Sequence, residues 1–198
     1  MLIAHRINTL EDLQKIPSTV AIEFDVRDSD GELSIEHDPF IPITVDIDTF
    51  LTNVGKRFLI VNIKSEGIEY KVLSLLQKYQ IDRFFLLDCS FPMLVKLSSM
   101  GESRLAVRFS EYESVDTVLS LEKKVEWVWV DCFTKNPLTK DIEVRLHKAG
   151  FKLCYVSPEL QQQPEKRQEY IKYFQTHDIH LDAVCTKHYC FSEWEVLF

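Results

Sequence analysis

Short apolar runs rich in β-branched and aromatic residues recur along the chain at intervals of roughly 20 to 30 residues, separated by segments of helical periodicity. Eight such runs occur, at 2–6, 21–27, 58–64, 84–90, 104–110, 127–133, 152–157 and 183–188. Most of them place their polar residues at the carboxyl end. Segments 68–79 and 142–148 carry apolar residues on one helical face, and Gly150 is a natural stop for the second helix.

Near-continuous apolar strands that alternate with helices are typical of parallel strands covered on both faces. Two architectures share this order, a (β/α)8 TIM-type barrel and a doubly wound open sheet. A doubly wound sheet usually carries a glycine-rich phosphate loop after its first strand, whereas here His5 and Arg6 end the first run and no glycine follows. Because barrels place their chemistry at many strand ends, we predict a single compact α/β (β/α)8 barrel over residues 1–198.

The second apolar run is followed by a departure from the alternation. Segment 28–31 has the composition of a tight turn, and segment 33–37 alternates as a short strand. The second strand is therefore expected to fold back as a hairpin. Such a hairpin brings His37 towards Glu23 and Asp25.

Composition and charge narrow the class of protein. The chain has 198 residues, of which 45% are apolar, enough for a core without disulfides or a structural metal. The five cysteines are odd in number and have no CxxC spacing, so buried thiols in a reducing, cytoplasmic setting are expected. We expect no signal peptide and no membrane span, since no apolar run approaches ~20 residues. The net charge of −8 without a basic stripe argues against nucleic acid.

Two acidic residues in the second run are the first candidates for chemistry. Glu23 and Asp25 lie two apart on a strand, so their side chains share one face. Burying both is costly unless positive charge lies between them. A divalent cation such as Mg²⁺, Ca²⁺ or Mn²⁺ suits these oxygen ligands. A structural ion network with Arg6, Lys64 or Arg27 explains the pair equally well.

Other polar residues fall where the same set of strand ends should meet. The set comprises His5, Arg6, Glu23, Asp25, His37 and Lys64. Two imidazoles can share general acid and general base work near neutral pH, and Arg and Lys can hold a phosphate. Further strand-end residues, expected to be members of structural ion pairs, are Arg108, Asp131 and Lys187.

Several of these residues stand in motifs of a known family. The motifs are Ile3-Ala4-His5-Arg6, Ile22-Glu23-Phe24-Asp25-Val26, Asp30-Gly31 and His37-Asp38-Pro39, with weaker matches at Asn62-Ile63-Lys64, Ser90-Phe91 and Asp182-Ala183-Val184-Cys185-Thr186. In order and spacing the chain resembles the glycerophosphodiester phosphodiesterases, within the phospholipase-C-like phosphodiesterase superfamily. That family has a (β/α)8 barrel fold.

The resemblance implies a metal-dependent phosphodiester hydrolase that acts on a small glycerophosphodiester-like substrate. The implied roles are acid/base catalysis for His5 and His37, phosphate contacts for Arg6 and Lys64, and metal ligation for Glu23, Asp25 and Asn62. The implied cofactor is Mg²⁺ or Ca²⁺, with Mn²⁺ as an alternative.

The chain departs from the family pattern at the proposed metal site and in the length of one connection, among other places. The family offers a glutamate where Asn62 stands, so the metal site loses a negative charge, and Asp88 is a candidate substitute ligand. Only 23 residues separate Asp38 from Asn62, which is shorter than in the family, so the site is expected to be open or completed by a second subunit. These departures support an alternative function, a ligand-binding or scaffold barrel that has lost turnover.

Overall fold

The structure, a computed structural model, describes residues 1–29, 31–40 and 45–198, and nine strands and eight α-helices lie within them. The strands are β1 (Leu2–Ala4), β2 (Ala21–Ser29), β3 (Glu32–Ser34), β4 (Leu59–Ile63), β5 (Phe84–Leu87), β6 (Ala106–Phe109), β7 (Trp127–Val130), β8 (Lys152–Val156) and β9 (Ala183–Thr186). The helices are α1 (Leu10–Lys15), α2 (Ile47–Asn53), α3 (Glu69–Lys78), α4 (Phe91–Ser99), α5 (Val115–Leu119), α6 (Lys140–Lys148), α7 (Arg167–Thr176) and α8 (Phe191–Trp194). Asp30, part of one sequence motif, lies outside the described residues.

All eight predicted runs contain a strand, and helices alternate with them. The predicted (β/α)8 TIM-type α/β fold is confirmed. Segments 68–79 and 142–148 form α3 and α6, as their periodicity indicates. The predicted stop at Gly150 is also confirmed, because its φ of +88° follows α6 and its N–H donates to the His147 carbonyl at 2.9 Å.

Contacts divide the chain into two compact units, and the first unit runs from Ala4 to Met93. Within it β2 pairs in parallel with β4, and β4 pairs in parallel with β5. Asp25 lies opposite Asn62 in the register of β2 and β4. Thr9 is the N-cap of α1 and Asp46 is the N-cap of α2, and each caps its helix through a side-chain oxygen.

The predicted hairpin is present in the first unit and is shorter than expected. β2 pairs antiparallel with β3 over three residue pairs, from Arg27 opposite Ser34 to Ser29 opposite Glu32. β3 ends at Ser34, so His37 lies beyond the strand rather than at its end. Ser34 also forms an isolated bridge to Asp46, and Arg27 of β2 donates to the His37 carbonyl at 3.0 Å.

The second unit comprises Met1–Ile3 and Leu94–Phe198. Its strands β6, β7, β8 and β9 pair in parallel in that order. Trp194, in the segment after β9, is fully buried and donates from Nε1 to the Ser157 hydroxyl at 2.9 Å. The aromatic end of the chain is therefore partly packed, although Phe198 is half exposed.

The five cysteines are buried and none of them forms a disulfide, as expected for the four that lie in apolar runs. Burial raises the pKa of Cys89 and of Cys132 to about 12, so both thiols are protonated and unreactive near neutral pH. None of the helices in the described residues has the length and apolar character needed to cross a bilayer.

The core of the first unit depends on aromatic packing between β2 and α2. Phe24 and Phe50 are buried, and their ring centroids lie 5.0 Å apart. Aromatic pairs of this kind stabilise beyond the area that they bury. Phe40, ten residues earlier than Phe50, is by contrast fully exposed.

These two phenylalanines form a matched pair for a stability test. Phe50→Ala should lower the free energy of unfolding by ~3 to 5 kcal/mol, because it leaves a cavity in the core. Phe40→Ala should change it by less than ~0.5 kcal/mol, because it removes no buried contact. Urea unfolding of both variants measures this, and equal losses would contradict the described packing.

Candidate active site

The turn after β1 is the first element of the candidate site. Arg6 has a φ of +58°, a conformation that residues with a side chain rarely adopt. This turn directs three consecutive residues onto β2. The Arg6 N–H donates to Glu23 Oε2 at 2.7 Å, and the Ile7 N–H donates to the Glu23 carbonyl at 2.8 Å. The Asn8 amide reaches Asp25, with Nδ2 at 2.8 Å from Oδ2.

Glu23 and Asp25 lie on the same face of β2, and each is about 1% exposed. Their carboxylates are therefore two neighbouring negative charges that water does not solvate. The alternation of side chains along a strand explains this placement directly. The two residues are the centre of the site, because His5, Arg6, Asn62 and Lys64 all approach their carboxylates.

Basic side chains approach the two carboxylates. Lys64 Nζ lies 3.5 Å from Asp25 Oδ1, and Arg6 Nε lies 3.6 Å from Asp25 Oδ2. His5 Nε2 lies 3.8 Å from Glu23 Oε2. The ion network expected with Arg6 and Lys64 is thus present around Asp25. Arg27 instead donates to the His37 carbonyl at 3.0 Å.

Asn62 completes the buried side of the site. Its Nδ2 donates to Glu23 Oε1 at 2.8 Å, and the residue is 7% exposed. Its Oδ1 is buried and has no hydrogen-bond partner among the described residues. A buried carbonyl oxygen without a donor is unusual in a folded protein, and it is a suitable ligand for a cation.

The charge of Glu23 is poorly compensated. Desolvation, followed by repulsion from Asp25, raises the pKa of the Glu23 carboxyl to about 7, against the hydrogen bonds from Asn62 and the Arg6 N–H. The nearby cations therefore lie mainly on the Asp25 side. An additional positive charge beside Glu23 would stabilise its ionised form.

The residues present fit a divalent cation with a preference for oxygen ligands. Two carboxylates and a partnerless amide oxygen are the donor types that Mg²⁺, Mn²⁺ and Ca²⁺ take. In the described residues, no three His, Cys, Asp or Glu side chains form a cluster that holds a metal by themselves. The third protein ligand would thus have to be the amide of Asn62.

Asp88, the candidate substitute ligand, pairs with a cationic side chain. It follows β5 with a φ of +59°, and its Oδ2 lies 3.3 Å from Lys64 Nζ. Lys64 is therefore shared between Asp25 and Asp88. Asp88 therefore helps to hold Lys64 at the site. Its role as a substitute metal ligand stays a prediction.

His37 and Asp38 form a hydrogen-bonded pair beyond the hairpin. His37 Nδ1 lies 2.7 Å from Asp38 Oδ1, and both side chains are exposed. The hydrogen bond to His37 lowers the pKa of Asp38, and the charges of Arg6 and Arg27 lower it further. His37 thus lies in a segment that the charge of Arg6 reaches.

A groove of about 690 Å³ also lies in the first unit, away from these residues. It is bounded by β3, α2 and α3, and its described lining residues include Leu33, Ile47, Tyr70 and Leu75. None of the candidate residues lines it in the described part of the chain. Groove size therefore does not locate the site here, and the buried charges do.

Two strand-end candidates of the second unit are structural. Arg108 hydrogen-bonds Asp131, and Asp131 also accepts from Gln161 Nε2 at 2.7 Å. This confirms the expected ion pair. The Lys187 N–H donates to Glu159 Oε1 at 3.2 Å, while the role of its side chain stays a prediction.

Comparison with solved structures identifies the fold. A candidate glycerophosphoryl diester phosphodiesterase from Agrobacterium tumefaciens superposes with a TM-score of 0.71 at 12% identity, over 98% of this chain and 96% of its own. A candidate glycerophosphodiester phosphodiesterase from Galdieria sulphuraria superposes with a TM-score of 0.66 at 16% identity, over 99% of this chain and 96% of its own. The fold is that of the glycerophosphodiester phosphodiesterases.

A further structure with the glycerophosphodiester phosphodiesterase fold agrees. The glycerophosphodiester phosphodiesterase from A. tumefaciens superposes with a TM-score of 0.61 at 16% identity, over 93% of this chain and 95% of its own. No protein-family model matches the sequence, and no curated protein sequence is significantly similar to it. The likeness at these identities concerns the glycerophosphodiester phosphodiesterase fold, so the chemistry has to be argued from the residues.

Asn8 is the site residue that the motifs did not single out. It stands between Arg6 and the first residue of α1, in a position typical of a residue that precedes a helix. That pattern predicts a cap and does not reveal a contact across to β2. The only local signal is an amide side chain within the turn that follows His5 and Arg6.

The raised pKa of Glu23 predicts how stability depends on pH in the metal-free protein. At a pH between the pKa of ~4.3 in the unfolded chain and the higher pKa of Glu23 in the folded protein, the folded protein retains a proton that the unfolded chain has released. The resulting contribution to the free energy of unfolding is complete below the pKa of the unfolded chain, and it is lost as the pH rises through about 7. Its size is on the order of 3 kcal/mol.

Urea unfolding at pH 5 and pH 8 in a chelating buffer measures this contribution. The wild type should lose more stability over that range than Glu23→Gln, because glutamine does not ionise. Glu195→Gln, at an exposed position, should behave as the wild type does. An equal loss in Glu23→Gln and the wild type would show that Glu23 is not the titrating group.

Proposed function

We propose that this chain is a phosphodiester hydrolase that acts on small glycerophosphodiester-like substrates with a divalent cation and two histidines. The observation that carries the proposal is one connected set of contacts in the first unit. Its links are His5 to Glu23 at 3.8 Å, Asn62 to Glu23 at 2.8 Å, and Arg6 and Lys64 to Asp25 at 3.6 and 3.5 Å. The glycerophosphodiester phosphodiesterase names of the structural neighbours support the same chemistry.

Arg6 and Lys64 would bind the substrate phosphate. Arg6 is 38% exposed and Lys64 is 18% exposed, so both remain accessible to a ligand while they flank Asp25. Arg presents several donors to phosphate oxygens, and Lys contributes a compact charge. Together they would hold the phosphodiester beside Glu23 and Asp25 and offset the charge that grows on its oxygens.

Glu23, Asp25 and Asn62 would hold the divalent cation. Their oxygens match its ligand preference, and the raised pKa of Glu23 marks a place where negative charge lacks compensation. The cation would supply positive charge that binds and polarises the phosphate. The amide at Asn62 leaves the site less negative than three carboxylates would, so cation binding should be weaker than at such a site.

His5 and His37 would share the proton transfers. One imidazole would take a proton from the attacking oxygen, which belongs to water or to a neighbouring hydroxyl of the substrate, and the other would protonate the leaving alcohol. Asp38 Oδ1 would accept a hydrogen bond from His37 Nδ1–H, which leaves Nε2 of the same ring for the substrate. His5 is 24% exposed and lies beside Glu23.

One observation favours a second function, a binding or scaffold barrel without turnover. The carboxylates already receive donors from the protein, with Asn62 and the Arg6 N–H on Glu23 and Asn8 on Asp25. Such a network is self-consistent without any ligand. We prefer the hydrolase because the chain has both histidines, His5 beside Glu23 and His37 paired with Asp38, and a scaffold would not require them.

We expect a small substrate, an open or subunit-completed site and a cytoplasmic location. The short connection between Asp38 and Asn62 leaves little chain with which to cover the site. The site would be open to solvent, or a second copy of the chain would complete it. A cytoplasmic location fits the five reduced, buried thiols.

Hydrolysis of a panel of glycerophosphodiesters in the presence of Mg²⁺, Mn²⁺ or Ca²⁺ tests the proposal. His5→Ala and His37→Ala should each lower kcat by ~100-fold or more, because each removes a proton-transfer group. His177→Ala, at the exposed end of α7, should leave the rate unchanged.

Two results would refute the hydrolase. The first is no product from any substrate with any of the three cations. The second is turnover that survives both histidine substitutions. Binding of glycerol phosphate without turnover would instead support the binding-protein alternative.

A further inference from the structure

Asn8 makes a two-point contact with Asp25. Its Nδ2 donates to Asp25 Oδ2 at 2.8 Å, and its Oδ1 accepts from the Asp25 backbone N–H at 3.0 Å. The same amide therefore holds both the main chain and the side chain of one residue. A contact of this kind fixes the rotation of the carboxylate as well as its position.

The segment that carries Asn8 is itself held at both ends. On one side the Arg6 and Ile7 N–H groups bond to Glu23. On the other side Thr9 is the N-cap of α1, and its Oγ1 accepts from the Asp12 N–H at 3.0 Å. Since Thr9 caps the helix, the polar atoms of Asn8 are not needed there, and both are directed to Asp25.

The contact decides which oxygen of Asp25 faces the site. Oδ2 receives the Asn8 amide and lies 3.6 Å from Arg6 Nε, whereas Oδ1 lies 3.5 Å from Lys64 Nζ. Asp25 Oδ1 is thus turned towards β4, where the partnerless oxygen of Asn62 also lies. Groups that orient ligands in this way commonly influence cation affinity strongly.

We propose that Asn8 is a positioning residue, which orients the Asp25 carboxylate for cation binding and thereby for phosphodiester cleavage. The inference rests on the proposed function of the site. It assigns to Asn8 no contact with the substrate, so its substitution acts through Asp25. The expected signature is weaker cation binding with little loss of turnover once the cation is saturating.

The chain offers a matched control at Asn136. This residue also makes two hydrogen bonds to a single partner, with Oδ1 accepting from the Leu138 N–H at 3.1 Å and Nδ2 donating to the Leu138 carbonyl at 3.2 Å. It lies in the second unit, before α6. Asn136→Ala therefore removes an equivalent pair of hydrogen bonds from a position outside the site.

The test is calorimetric titration of the metal-free protein with Mn²⁺, supported by thermal unfolding. Asn8→Ala should bind Mn²⁺ roughly 10- to 100-fold more weakly than the wild type, and Asn136→Ala should bind it as the wild type does. Both variants should lose a similar amount of thermal stability. Asn8→Ser retains a hydroxyl donor and should recover part of the affinity, and it replaces Asn8→Ala if that variant does not fold.

Activity supplies the second readout. In Asn8→Ala the Mn²⁺ concentration for half-maximal hydrolysis should rise by the same factor as the dissociation constant, and saturating Mn²⁺ should restore kcat to near the wild-type value. A general loss of folded protein would not be restored in this way. Unchanged Mn²⁺ affinity in Asn8→Ala would overturn the inference.

The two proposals fail in distinguishable ways. If the wild type binds Mn²⁺ and cleaves no phosphodiester, the proposed hydrolase is wrong, while the affinities of the Asn8 and Asn136 variants still decide the role of Asn8. If the wild type binds no Mn²⁺, the positioning role is wrong together with the cation site. If it cleaves substrate and Asn8→Ala needs no more Mn²⁺ than the control, the positioning role alone is wrong.

Discussion

Two buried carboxylates on one face of β2 are the constraint around which the first unit is arranged. Glu23 and Asp25 are about 1% exposed, so water does not stabilise their charges. The protein surrounds them with donors from two sides. The turn at residues 6–8 supplies N–H groups and an amide, β4 supplies Asn62, and Lys64 follows directly after β4. The positive φ of Arg6 is the local strain that this arrangement requires.

The surrounding donors are unevenly divided, and that asymmetry gives the site its character. Asp25 has an amide and two cationic side chains within 3.6 Å, whereas the described contacts of the Glu23 carboxylate include no Lys or Arg side chain within 4.0 Å. The pKa of Glu23 is raised as a consequence. The negative charge of Asp25 is therefore compensated by the protein, whereas that of Glu23 is not. A divalent cation would contribute most beside Glu23.

Much of the fold follows from the sequence, because parallel strands covered on both faces read as apolar runs. Runs such as 58–64 and 127–133 overestimate β4 and β7, since the last residues of each run have left the strand. Those extra residues include the charged ones, Lys64 and Asp131. The alternation after Gly31 likewise predicted a strand as far as His37, but β3 ends at Ser34, the residue that also bridges to Asp46.

The candidate site could be predicted less completely than the fold from the local sequence pattern. Period-two spacing placed Glu23 and Asp25 on one face, but the pairing of Asp88 with Lys64 and the contact of Asn8 with Asp25 are tertiary contacts. No periodicity reports them, because they depend on the turns at Arg6 and Asp88, both of which have positive φ. The (β/α)8 fold supports many chemistries, so these contacts carry more functional information than the fold does.

The most direct test of the account is anomalous diffraction from crystals soaked with Mn²⁺ and glycerol 3-phosphate. The account predicts one strong manganese peak among Glu23, Asp25 and the Asn62 amide oxygen, with the phosphate bound by Arg6 and Lys64. Carboxylates that bond only to protein donors, with no manganese beside them and no phosphate on Arg6 and Lys64, would contradict it.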